Sequence, residues 1–372
     1  MRVMIVAGEA SGDLHGAGVV KELKARMPDA DIFGIGGDKM QNAGMQLVFH
    51  VRELSFMGFW EVIQHLPLLR SVERTMAALL KARKPDVVLL IDYPGFNLRF
   101  AQVARREGVT VMYYISPQVW AWNPGRVRKM KELIRKMFVV FPFEVPIYER
   151  EGIDVEFVGH PLLEVLSEPQ RRPEFCKRWG LEERGKIVGL FPGSRKQEIE
   201  RIFPAMLGAA RMLNRDQGAQ IVVGASPSLD IDYLRSFLRG DFPVTIVQNA
   251  TYDVMKNSDV ALVTSGTATL ETGYYQTPMI VVYKTSALTY LIGRLLVRVK
   301  NIGLVNIVAG SGIVPEYIQW KATPANLAAE TADLLNNDDR RKKIAQSLRI
   351  VRDRLGTPGA SARVANAIAA LA

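Results

Sequence analysis

Short runs of β-branched and other apolar residues alternate along this chain with helix-length amphipathic segments. A parallel strand covered on both faces reads as a continuous apolar run, so this alternation predicts parallel sheets with crossover helices. In the first half the pattern predicts strands over residues 2–7, 31–35, 86–92, 109–115, 137–141 and 155–158. In the second half it predicts strands over 186–191, 219–223, 243–247, 259–263 and 278–283. Between the sets, residues 161–173 hold three prolines and several charges and read as a linker. The expected fold is therefore α/β: two Rossmann-like, doubly wound parallel-sheet domains over residues 1–165 and 166–345. Such domains bind ligands beyond the carboxyl ends of their strands, which places the expected cleft between them. From about residue 324 the chain is alanine-rich and helical in period, broken near Gly356-Thr357-Pro358-Gly359. The tail over 346–372 is expected to return to the N-terminal domain.

Composition narrows the class of protein. The 372 residues suffice for two cores, and 48% apolar with 23% charged residues excludes a disordered or fibrous chain. A net charge of +10 calls for an anionic partner, for which nucleic acid, an acidic membrane surface and a phosphorylated substrate all qualify. The lone Cys176 precludes an internal disulfide and fits a reducing cytoplasm. The apolar start of the chain ends after five residues and meets Glu9 and Asp13, so it reads as a buried strand instead of a signal sequence. No apolar stretch approaches the roughly 20 residues needed to span a bilayer, so the expectation is a protein that is soluble or sits on a membrane face.

The candidate chemistry lies at predicted strand ends. The apolar run from Val260 stops at Ser265-Gly266, and a helix-compatible segment begins at Thr267. A strand delivering a helix N-terminus in this way offers free N–H groups and a positive dipole end to an anion, and Gly266 permits close approach. Glu271 falls about one turn inside, where a carboxylate accepts hydrogen bonds from a ribose. The run from Lys186 repeats the pattern at Pro192-Gly193-Ser194-Arg195, so two strand ends are positioned to share one diphosphate. The pair reads as a nucleotide-sugar site; an ordinary strand–turn–helix capped by Ser265 is the plainer alternative.

The first strand runs into Gly8-Glu9-Ala10-Ser11-Gly12-Asp13-Leu14-His15-Gly16. Its glycine spacing departs from the dinucleotide fingerprint, and no G-x-x-x-x-G-K-[ST] loop exists, which disfavours nicotinamide enzymes and P-loop phosphotransferases. Ser11, Asp13 and His15 suit an acceptor-sugar or phosphate site, although Ser11 and Asp13 also qualify as helix caps. Asp92 ends a strongly apolar run. Burial of such a carboxylate tunes it as a base; the alternative is a turn-holding aspartate, a task open also to Asn97.

Trp120 and Trp122, followed by basic residues, read as cleft lining for a sugar or acyl chain more economically than as a nucleic-acid surface. His50 and His65 are isolated, and His160 reads as structural. No His/Asp/Glu spacing resembles a metal site, and the triplets Asp29-Ala30-Asp31 and Asp230-Ile231-Asp232 adjoin neither proposed anion loop. Residues 54–70 hold more large apolar groups than one helical face buries. Trp60, Val62, Ile63, Leu66 and Leu69 are candidates for a membrane-docking patch or an acyl groove, with plain core the alternative. Residues 283–300 mix apolar and basic groups and read either as a lipid-facing or as an interdomain segment.

Taken in order, Gly8–Asp13, Met57-Gly58, 91–97, 116–122, 159–161, 192–195, 265–271 and Asn306 resemble the motifs of the lipid-A-disaccharide synthases over nearly the whole chain. The resemblance implies an inverting, metal-free glycosyltransferase of the two-Rossmann-domain B type, with no cofactor. It implies UDP-2,3-diacylglucosamine as donor and 2,3-diacylglucosamine 1-phosphate as acceptor, joined in a β-1′,6 linkage with release of UDP. It further implies work at the anionic inner face of the inner membrane, leaves a homodimer open and gives no role to nucleic acid. Position by position, the resemblance implies that Ser194, Arg195, Gly266, Thr267 and Glu271 match the UDP-sugar motifs and that Asn306 is a further active-site residue, expected with them at the donor. Asp92 matches the base, with His15 the first alternative, and Ser11 lies in the N-terminal active-site loop. Tyr93 and Gly95 replace an alanine and an aspartate of some members, which leaves Asp92 without a second carboxylate. A UDP-sugar epimerase and the related cell-wall transferase are the other readings of such a fold.

Overall fold

The computed structural model describes residues 1–54, 66–118, 125–238, 240, 242–287, 290–291 and 301–371, without the side chains of Leu66 and Arg126. The chain divides into two compact units, Met1–Glu164 with Leu355–Ala372, and Val165–Arg354.

Among the described residues the first unit holds one sheet of seven parallel strands. They are β1 (Arg2–Ala7), β2 (Asp31–Gly36), β3 (Gln46–His50), β4 (Val87–Ile91), β5 (Thr110–Tyr114), β6 (Lys136–Val139) and β7 (Val155–Phe157), in the order β3-β2-β1-β4-β5-β6-β7. β4 consists of five apolar residues, all fully buried, as expected for a central strand with helices on both faces. Gly34 (φ +144°) marks the tight approach of β2 to β1, for a Cβ there would lie 2.0 Å from the Ile5 carbonyl oxygen. On the helix Leu66–Arg83, the buried Leu69, Val72, Met76 and Leu80 follow helical spacing and join the core against Met4, Phe33 and Phe100.

The last helix, Ala360–Ala369, packs along the first, Ala10–Arg26. Its N-terminus is fastened by Glu164, whose carboxylate accepts from the Ser361 N–H (2.8 Å) and hydroxyl (2.6 Å). Residues 346–354 stay with the second unit, so the change of unit falls at Leu355, just ahead of Gly356 (φ +80°).

The second unit holds six parallel strands among the described residues. They are β8 (Ile187–Phe191), β9 (Gln220–Ala225), β10 (Val244–Gln248), β11 (Val260–Thr264), β12 (Met279–Tyr283) and β13 (Glu316–Ile318), in the order β10-β9-β8-β11-β12-β13. In each sheet the strand order reverses once, between β1 and β4 and between β8 and β11. A crevice opens at such a switch point because neighbouring connections leave in opposite directions.

Two strands escape the apolar pattern. β3 and β13 lie at sheet edges, and β13 is three half-buried residues, so neither displays a continuous buried run. The expected linker is also partly ordered: residues 161–164 form a 3-10 turn, and Pro173 sits in the first turn of the helix Arg172–Trp179, where its missing N–H costs nothing.

Candidate functional site

At the switch point of the second unit, two strand ends turn into helices around one cavity. β8 leads through Gly193 (φ +106°) to Arg195, the N-cap residue of the helix Lys196–Gln217. β11 leads through Ser265 to Gly266 (φ +151°, ψ −161°), the N-cap of the helix Thr267–Tyr274, and no side chain caps that N-terminus. Ser265 does not cap it either, because its hydroxyl donates to the Ile302 carbonyl at 3.0 Å. A Cβ on Gly266 would meet nothing within 4 Å, so glycine serves the backbone angle there and the approach stays open.

The cavity measures about 610 Å³, and Ser194, Arg195, Gly266, Thr267, Glu271 and Tyr252 all line it. The two strand-to-helix turns thus line one cavity, which holds a helix N-terminus and an arginine, the features that suit an anion. Arg195 is half exposed and pairs with Glu198, also in the wall, at 3.2 Å. Burial pushes the Glu271 carboxyl up to about 7, opposed by the Tyr252 hydroxyl, which donates to its Oε1 at 3.4 Å. Tyr252 is itself pushed upward, first by burial and then by the Glu271 charge. Sequence reasoning missed Tyr252 and Asn249 (φ +62°), both in this wall. The signal was present, since β10 also ends in a turn that starts a helix, Thr251–Asn257.

Asn306 does not line this cavity. It is fully buried and holds the loop that follows its own helix: Nδ2 donates to the Val314 carbonyl (2.9 Å) and Glu316 Oε1 (2.8 Å). Its Oδ1 accepts from the N–H groups of Ile313 (2.8 Å) and Val314 (3.0 Å). All four capacities of the amide are spent within the fold, which corrects its expected contact with the donor.

At the switch point of the first unit, β4 ends in two consecutive left-handed residues, Asp92 (φ +45°) and Tyr93 (φ +47°), and β5 ends in a third, Ile115 (φ +62°). Such angles cost about 1–3 kcal/mol each for residues with a side chain, and they persist only where the surroundings enforce them. Here the Asp92 carbonyl accepts from Asn97 Nδ2 (2.7 Å) and the Tyr113 hydroxyl (2.5 Å), and the Asp92 N–H donates to the Tyr114 carbonyl (3.0 Å). The Tyr93 ring lies where a Cβ of Gly8 would be, which joins the first loop to this turn. Most turn-holding therefore falls to Asn97 and the backbone. Burial, then the Glu9 charge, push the Asp92 carboxyl up to about 6 against the hydrogen bond from the Tyr93 N–H.

The first loop divides by role. Ser11 is exposed, whereas Asp13 is buried with its carboxylate accepting from the N–H groups of Gly37 (2.7 Å), Met40 (3.0 Å) and Lys39 (3.2 Å). Asp13 fastens the end of β2 and the short helix Asp38–Asn42, a structural duty that corrects its expected place on an acceptor. Burial and the neighbouring Lys39 lower His15 to about 4, so its imidazole is neutral. His160 is lowered to about 3, by burial and then by His15, and its Nδ1 accepts from the Leu162 N–H at 3.1 Å.

The apolar candidates resolve unevenly. Trp60, Val62 and Ile63, like Trp120 and Trp122, lie outside the described residues, as does the Leu66 side chain. Leu69 is 4% exposed and packed in the core of the first unit, which removes it from any docking surface. Each carboxylate triplet has local work: Asp31 pairs with Arg83, and Asp230 accepts from the Asp232 N–H. No helix among the described residues is long and apolar enough to cross a membrane.

Several solved structures share this fold at low identity. The UDP-GlcNAc 2-epimerase of Neisseria meningitidis superposes with a TM-score of 0.67 at 14% identity, covering 100% of both chains. The calicheamicin glycosyltransferase gives 0.63 at 15%, covering 100% of this chain and 97% of that one. At the sequence level, the family model described as lipid-A-disaccharide synthetase matches residues 3–369. The lipid-A-disaccharide synthase of Syntrophus aciditrophicus is 46% identical over 98% of this chain and 96% of its own length. That of Geobacter metallireducens is 45% identical over 99% and 96%. A match this long and this close reaches beyond shared architecture: the chain belongs to the lipid-A-disaccharide synthase family of glycosyltransferases.

Proposed function

We propose that the chain transfers 2,3-diacylglucosamine from its UDP donor to 2,3-diacylglucosamine 1-phosphate, forming the β-1′,6-linked disaccharide 1-phosphate and UDP. The observation that carries the reading is the convergence of Ser194-Arg195 and Gly266-Thr267 on one cavity, with Glu271 a turn away. The UDP-sugar is assigned to this second unit and the acceptor sugar to the strand ends around Asp92 and Ser11 in the first.

The acceptor 6-hydroxyl loses its proton to Asp92 as its oxygen attacks the anomeric carbon from the face opposite UDP. The new C–O bond forms while the bond to the diphosphate oxygen breaks, so one displacement inverts the centre. The electron pair leaves on UDP, where Arg195 and the uncapped helix N-terminus stabilise the added charge. Between Asp92 at about 6 and His15 at about 4, the carboxylate is the stronger base, and it is ionised near neutrality. No step calls on a metal.

The acylated substrates place the reaction at the inner face of the inner membrane, with Trp60, Val62, Ile63 and Leu66 as one contact with it. The test is product formation from the two purified acylated sugars, followed by mass and linkage analysis. A β-1′,6 disaccharide with stoichiometric UDP is expected, undiminished by chelator. Epimerised donor without disaccharide, or activity lost to chelator and restored by magnesium, overturns the proposal.

A further inference from the structure

We propose that the second unit carries its own contact with anionic membrane, centred on Trp320 and separate from the donor cavity. Trp320 is 72% exposed and Leu291 59%, the two most exposed large apolar side chains among the described residues. Tyr290 stands edge-on to Trp320, ring centroids 5.3 Å apart at 83°, and Leu291 follows it in the chain. None of the three lines the donor cavity.

The exposed indole is held by a built corner. β12 and β13 end side by side, with Tyr283 paired to Ile318, and the next residue, Gln319, is buried in a left-handed conformation (φ +51°). Its amide clamps the segment after β12: Oε1 accepts from the Thr285 N–H (2.8 Å), and Nε2 donates to the Thr285 carbonyl (3.0 Å). A strained, doubly bonded residue thus fixes the direction in which the chain presents Trp320 to solvent.

Chemistry selects the occupant. Tryptophan and tyrosine favour the membrane–water interface, where ring and polar atom are both satisfied. Exposed Lys321 and half-exposed Lys284 flank the aromatics and complement anionic headgroups. Three side chains of about 150–250 Å² or less apiece fall short of the ~800 Å² per partner of a stable protein interface, whereas shallow insertion needs no such area. This surface takes no part in the chemistry, and its contact with lipid does not depend on which acylated sugar is the substrate.

The test is sedimentation of the full chain with phosphatidylglycerol-containing vesicles and with pure phosphatidylcholine vesicles. Trp320→Ser should lower partitioning onto the anionic vesicles about tenfold, and Lys321→Glu about fivefold, with unchanged melting temperature and unchanged UDP affinity. Trp320→Phe should retain most binding while losing part of the fluorescence quenching by brominated lipid. Wild-type partitioning in both Trp320→Ser and Leu291→Ser overturns the proposal. So does an altered sedimentation coefficient of Trp320→Ser without lipid, which would mark a protein interface, and so does failure of the wild type to bind anionic vesicles.

Discussion

The Tyr252 hydroxyl reaches Glu271 Oε1 at 3.4 Å from a helix that follows a different strand, so two strand ends of the second unit meet in one carboxyl–phenol pair. Burial holds Glu271 at about 7 instead of 4.5. A ribose hydroxyl donating to this group favours its ionised form, so UDP should bind more tightly as pH rises from 6 to 8, and the slope should shrink in Glu271→Gln to that of the UDP phosphate alone. The sign for stability is the reverse. The native state keeps a proton that the unfolded chain releases above 4.5, so stability falls as pH rises from 4.5 to 7. Glu271→Gln should therefore melt higher than wild type at pH 8, by on the order of 1–3 kcal/mol, with little difference near pH 4.5. Calorimetry of UDP binding and thermal unfolding across pH check both; a binding slope as steep in the variant as in wild type refutes the assignment.

Arg195→Ala should cut turnover on the order of a hundredfold, since in the proposed mechanism the guanidinium meets charge that develops on the departing diphosphate. Its side chain is 51% exposed and its pairing with Glu198 is a surface one, so the melting temperature should hardly move. Near-wild-type turnover would remove Arg195 from the mechanism.

For Asp92 the expected pH–rate profile rises with pH and levels above about 6, because the base must be unprotonated to accept the hydroxyl proton. Asp92→Asn should abolish that limb and most of the rate while leaving UDP affinity in the second unit unchanged. A retained limb with its midpoint nearer 4 would transfer the role to His15.

The turns at 192–195 and 265–267 and the Asp92 turn were legible because each is a sharp change of pattern, an apolar run stopped by glycine or by a buried charge, and a change of pattern survives in one dimension. Strands β3 and β13 were not, because an edge strand buries only part of its surface and carries little periodicity. Asp13 and Asn306 misled for another reason. A polar residue beside a glycine-rich motif looks the same in sequence whether its hydrogen bonds go to a ligand or to the fold, and here they go to Gly37, Lys39 and Met40 and to the loop 313–316.

Asn306 should act through the loop it holds. Asn306→Ala leaves the buried Val314 N–H without its acceptor, at about 1–3 kcal/mol, and leaves the Ile313 N–H with the Ser311 carbonyl alone. The variant should melt well below wild type yet bind UDP nearly normally at low temperature. An unchanged melting temperature together with lost UDP affinity would return Asn306 to the donor.

Residues 54–70 hold both a core residue, Leu69, and the residues of the proposed docking patch. Leu69 packs with Val72 and Met76 in the first unit's core, so Leu69→Ala should cost about 2–5 kcal/mol in stability without weakening the folded protein's binding to anionic vesicles. Trp60→Ser and Ile63→Ser should do the opposite, lowering vesicle binding while the melting temperature holds, because the proposed contact is made in the bound state alone. Paired vesicle sedimentation and thermal melts on the three variants decide the matter. A large stability loss in Trp60→Ser or Ile63→Ser would extend the core over those positions and leave Trp320 as the membrane contact to be weighed alone.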